Sequence, residues 1–168
     1  MPYSIFFTLD DATRIIGLNP EHKWRVVNFA QGKEYGINPS VREAAGSGSR
    51  RLYELNDVCE IALALRLLET GLRPKVIGTV VSQLRESRDD LRHMLSGGSD
   101  LQLAIIRKPK IGKPLNEKRE QVVEWVWTVG EADKIRKVNP NCDLILVSVG
   151  GLFSDMDKRV RTKFNPKA

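Results

Sequence analysis

The apolar residues of this chain change period near residue 96, and that change restricts the fold more than any single motif. Up to Leu95 they recur at three- and four-residue intervals, which places one stripe on a helix. Beyond Ser96-Gly97-Gly98-Ser99, a short flexible stretch, they alternate at two-residue intervals, as in a half-buried strand. With 168 residues, 41% of them hydrophobic, the chain can build one ordinary domain or two small ones. The expected organisation is a mainly helical unit over 1–95 and a small α+β unit over 99–168 with a basic tail.

Local signals divide the first half into helices. Thr8 and Asp11 have the spacing of a capping box, Leu9, Ala12 and Ile15 or Ile16 follow at helical intervals, and Gly17 stops the run. Asn19 suits the N-cap of a second helix, and Pro20 at its first position loses no needed hydrogen bond. In that helix Trp24, Val27 and Ala30 are expected to face inward, with His22, Lys23, Arg25 and Asn28 outward. Two helices joined by so short a turn form the pattern of a helix-turn-helix. Residues 31–49, with Gly32, Gly36, Pro39, Gly46 and Gly48, read as loop or hairpin, and Arg50 and Arg51 lead out of it into Tyr53. A third helix is expected from Asn56 or Asp57, with Val58, Ile61, Ala62, Leu65 and Leu68 as its stripe and Gly71 at its end. Pro74 opens a fourth, with Ile77, Val80, Val81 and Leu84 toward the core and a charged continuation through Arg92.

The second half reads as a β-β-α-β unit over 100–150: strands near 101–106, 123–129 and 144–149, and a helix over 131–138. Ser148-Val149-Gly150-Gly151 reads as a turn, since it lacks the remaining parts of a nucleotide-binding loop. Asp155 to Ala168 is expected to be a basic, partly disordered tail. Trp125 and Trp127 share a strand face; a packed core is the plainer reading of them, and the lining of a ligand pocket the alternative.

Charge points to a polyanion. The net charge is +6, and it is concentrated: residues 14–51 hold seven basic and three acidic side chains, and residues 99–168 fourteen and nine. No nucleophile–base pair, metal-ligand spacing or paired acids stand out, so the chain is not expected to be an enzyme, and no cofactor or metal is implied. Cys59 and Cys142 are too few for a disulfide framework and lie in apolar stretches. Neither a signal peptide nor a membrane-spanning stretch is visible, so a soluble, cytoplasmic protein is expected.

The order helix, tight turn, helix, Gly-rich loop, Arg51-Leu52-Tyr53, Asn56-Asp57-Val58, apolar helix, Glu69-Thr70-Gly71-Leu72 and Arg73-Pro74-Lys75-Val76-Ile77 resembles the MerR family over about residues 5–86. Trp24-Arg25-Val26-Val27 stands where the family has Leu-Arg-x-Tyr, and Ser49 where it has a wing glycine. The resemblance implies a winged helix-turn-helix that binds double-stranded DNA as a homodimer on an inverted repeat, making the chain a transcriptional regulator with RNA polymerase as a candidate partner. The second helix would enter the major groove, so His22, Lys23, Arg25 and Asn28 are candidate DNA contacts. Arg50 and Arg51 would meet phosphates from the wing, with Tyr53 supporting or touching the backbone. Dimerisation would use a short coiled coil over 80–95 or an open edge of the strand unit.

Two other classes of function fit the same residues. Basic segments at 107–119 and 158–167 suit an architectural DNA-binding protein of the excisionase or accessory-factor kind. A winged helix can also be a protein-interaction module. Charge reversal at Arg25, Arg50 and Arg51 separates that last class, because it would leave DNA affinity unchanged.

Overall fold

The structure is a computed structural model that describes residues 6–26, 51–86, 101–109 and 123–164. Over these residues the chain forms α1 (Leu9–Ile16), a 3-10 turn (Pro20–His22), α2 (Leu55–Glu69), α3 (Pro74–Glu86), β1 (Leu101–Pro109), β2 (Val123–Glu131), α4 (Ala132–Val138), β3 (Asp143–Ser148) and α5 (Val149–Phe164). Residues 23–26 are helical as well. The molecule is thus mixed: helices first, then a small α+β part built on three antiparallel strands. The expected break at Ser96 to Ser99, the loop over 31–49 and the continuation to Arg92 lie outside the described residues.

α2 is the axis of the fold. Every residue from Asp57 to Leu65 is buried, so this part of the helix is enclosed on all sides rather than along one stripe. α3 packs beside it through Ile77, Val80, Val81 and Leu84, the four residues expected from the sequence. Burying side chains of this size contributes about 1.5–3 kcal/mol each. Enclosure also traps two carboxylates: Asp57 and Glu60 are each only 3% exposed. Arg85, from α3, satisfies them, its Nε donating to Glu60 Oε1 at 3.2 Å and Oε2 at 3.0 Å while a terminal nitrogen lies 3.8 Å from Asp57. Asp57 also accepts the Glu54 backbone N–H at 2.9 Å, so it fastens the first turn of α2.

In the sheet the order is β2-β1-β3, with β1 central and both neighbours antiparallel to it. Side chains alternate between two faces. Leu103 and Ile105 join the large core with the helices, while Ala104 and Ile106 meet Ile135 of α4 on the opposite face. One apolar cluster therefore joins residues on both sides of the 96–99 stretch. Trp127 belongs to it, and its indole N–H donates to Gln83 of α3 at 2.6 Å.

The C-terminal expectations require two corrections. Gly150 and Gly151 are not a turn after β3 but lie in the first turn of α5, which begins at Val149. Nor are residues 155–164 a loose tail: they complete this 16-residue helix. Val149, Phe153 and Met156 are buried and Val160 is packed against the same core, a spacing of four, three and four that makes one helical stripe. Burial of that stripe against β1 and α1 outweighs the roughly 1 kcal/mol that each glycine costs a helix.

Candidate nucleic-acid interface

α1 is short, and its two ends are fixed by side chains. At the start, Asp11 Oδ2 accepts the Thr8 backbone N–H at 3.0 Å, and the Thr8 hydroxyl oxygen accepts the Asp11 N–H at 3.3 Å. The expected capping box is therefore present. At the end, Gly17 takes φ 85°, a left-handed conformation that costs glycine little. Its N–H and that of Leu18 return to the carbonyls of the last turn. The remaining carbonyls are met from far along the chain: Arg159 of α5 donates to Ile15 O at 2.9 Å and Ile16 O at 2.8 Å. A cation at a helix C-terminus also complements the negative end of the helix dipole. Sequence reading had no means of finding Arg159, which lies some 143 residues from its acceptors.

The second helix opens three residues after Gly17, as a 3-10 turn. Asn19 occupies the N-cap position, but its side chain does not cap; Nδ2 donates to Glu21 Oε1 at 2.8 Å. Glu21 also lies 3.7 Å from His22 Nε2. Lys23 forms an ion pair with Asp10 of α1, so it ties the two helices together and is not simply a side chain pointing at solvent. Asp10 is the partner that sequence reading missed, although an acid in the first turn of α1 was visible.

Trp24 corrects a further expectation. Its helical spacing predicts a core position, but it is 59% exposed, and Val26 is the residue that is fully buried. The opening 3-10 turn advances about 120° per residue instead of about 100°, so the helical phase read from Pro20 is displaced. With Lys23 drawn to α1, Trp24 turns outward and Val26 inward. Arg25 is half-buried and has no ion-pair partner among the described residues. Val27, Asn28 and Ala30 lie outside the described residues.

Phe7 and Tyr53 form a two-residue antiparallel bridge, with N–H···O distances of 2.8 and 2.9 Å. The bridge fixes the chain entering α1 against the chain entering α2. Tyr53 is 0% exposed, so its ring packs in the core and is not placed to touch a nucleic-acid backbone directly. Burial raises its pKa above 10.0, against the pull of the Arg51 guanidinium. Arg51 is half-buried two residues before it, and Arg50 lies outside the described residues.

Among the described residues no group of three His, Cys, Asp or Glu side chains is placed to hold a metal ion. Cys59 is buried, which pushes its thiol far above the usual range, and Cys142 is half-buried; both are free thiols. No helix among the described residues is long and apolar enough to cross a membrane.

No known family profile matches the chain. Over 50 residues it is 46% identical to a protein of Mycobacterium bovis and to two of Mycobacterium tuberculosis, each named an uncharacterized HTH-type transcriptional regulator. The matched stretch is 30% of this chain and 22% of each relative, so it spans less than a quarter of their length.

Proposed function

We propose that the chain is a DNA-binding transcriptional regulator of MerR-like type, in which α1 and the helix after Pro20 form the helix-turn-helix and Arg51-Leu52-Tyr53 belong to the wing. The observation that carries this reading is the joint at Gly17: two helices separated by a short left-handed turn, in a chain that is similar over 50 residues to proteins named HTH-type regulators. His22, Trp24 and Arg25 are the side chains of the second helix that this reading assigns to DNA. Lys23 acts first as the tie to α1 and Arg51 as a phosphate contact held in place by the Phe7–Tyr53 bridge. Asn28 and Arg50 are the remaining DNA contacts that this reading names. A homodimer reading an inverted repeat, with RNA polymerase as its further partner, is the mode of action proposed.

Selection from a random duplex library tests the proposal, with the wild type beside a variant carrying Arg25→Ala, Arg50→Ala and Arg51→Ala. An enriched inverted repeat that the variant no longer selects is the expected result. Binding without a motif, weakening steeply with salt, favours the architectural alternative. Absence of binding refutes the assignment and directs the search to protein partners.

A further inference from the structure

The described residues enclose a second site, away from the second helix. A cleft of about 540 Å³ lies between the α2–α3 turn and the helix-facing side of the sheet. That size is in the range of small-molecule sites. Arg73 and Lys75 stand on one side, Arg107 and Trp125 on the other, with Val76 and Ile145 as apolar lining. In the sheet register Arg107 of β1 is directly opposite Trp125 of β2, which puts a cation beside an aromatic face. Trp125 is 37% exposed, large for a tryptophan on the core-facing side of a strand.

Among the described residues the charges in this cleft have few carboxylate partners. Among the described residues no carboxylate lines it, and neither Arg73 nor Lys75 has an ion-pair partner. Arg107 has only a 3.5 Å contact with Asp143, whose side chain is 80% exposed. A neighbouring cleft of about 500 Å³ makes the contrast plain. Its Arg66 is paired with Glu69 at 3.0 Å, and its Arg159 is occupied by the end of α1. Three cations, an exposed indole and an apolar floor form a set that recognises a ring carrying negative charge: stacking holds the ring and the guanidinium groups hold the anion.

We propose that this cleft binds a small planar aromatic anion, a ring bearing a phosphate or carboxylate. The site bridges the helical part and the sheet, so an occupant contacts both.

Titration of the full chain by isothermal calorimetry tests this, with 5′-GMP and 1-naphthoate as probes and guanosine and inorganic phosphate as half-probes. At least one aromatic anion is expected to saturate a single site, with each half-probe about tenfold weaker or more. The double variant Arg73→Gln with Lys75→Gln changes exposed side chains and is expected to weaken the anion about tenfold or more. Trp125→Leu does the same through the ring, while Phe6→Leu, at an exposed aromatic outside the cleft, leaves the affinity unchanged. Absence of saturable binding by either aromatic anion overturns the proposal, as does binding indifferent to the Arg73, Lys75 and Trp125 variants. It fails equally if those variants weaken duplex DNA instead, because the cleft is then part of the nucleic-acid surface.

Discussion

α1 and α2 are both helices of the first half with side-chain bonds closing their first turns, yet they are held by different means. α2 has fifteen residues, ten of them buried, and its stability comes from packing around Asp57 to Leu65. α1 has eight, with one buried stripe of Ala12, Thr13 and Ile15, and depends on its ends: Thr8 and Asp11 at one, Gly17 and Arg159 at the other. The helix that starts the proposed DNA-binding unit is therefore completed by a residue of the last helix in the structure. Internal charge follows the same division. In α2 buried carboxylates are matched by Arg85, whereas in α1 the ion pair to Lys23 is at the surface.

Substitutions should separate the two kinds of support. The largest effect is expected at Ile61, where Ile61→Ala removes a fully buried side chain from the enclosed helix and costs about 2–5 kcal/mol in urea unfolding. Arg85→Met comes next. It leaves Glu60 and Asp57 buried without their cation, and because Arg85 is about one-third exposed the loss should fall near 2–3 kcal/mol, below that of a fully buried pair. At α1, Gly17→Ala is strained at φ 85° and its Cβ would meet the Arg159 guanidinium, and Arg159→Ala removes the cap; each should cost about 1–2 kcal/mol. A double-mutant cycle between them should show strong coupling, since the same contact is involved; additivity would break the comparison.

The smallest effects concern titration and access. Tyr53 has a folded-state pKa raised above 10.0, so its contribution is complete below that value and is lost as pH rises through the folded pKa. Stability should therefore fall above about pH 10, and Tyr53→Phe should flatten that fall, as read from denaturation midpoints across pH. Native alkylation at neutral pH should modify half-buried Cys142 and spare Cys59 until the chain unfolds.

Elements with local signals were legible in the sequence. Thr8, Asp11 and Gly17 bracket α1, Pro74 opens α3, alternating side chains locate β1 and β2, and a near-continuous apolar run from Leu144 locates β3. Their physics acts over a few residues, so a short window contains it. Trp24 was misread because a 3-10 turn shifted the helical phase, which no periodicity count starting at Pro20 includes. α5 was missed for another reason. Its stripe of Val149, Phe153, Met156 and Val160 is periodic, but the glycines at its start resemble a turn and its charges resemble a tail. What stabilises it is the surface of β1 and α1, which only the folded chain supplies. Of the candidate site, the basic residues were legible; the ties that orient them, Lys23 to Asp10 and Arg159 to Ile15 and Ile16, were not.

Backbone amide chemical shifts of the full chain, followed by NMR as duplex DNA is added, test the proposed interface most directly. The account predicts that shifts concentrate at residues 19–28 and 50–53 and leave β2 and β3 unmoved. Shifts centred on the sheet or α5, with residues 19–28 unaffected, would contradict it.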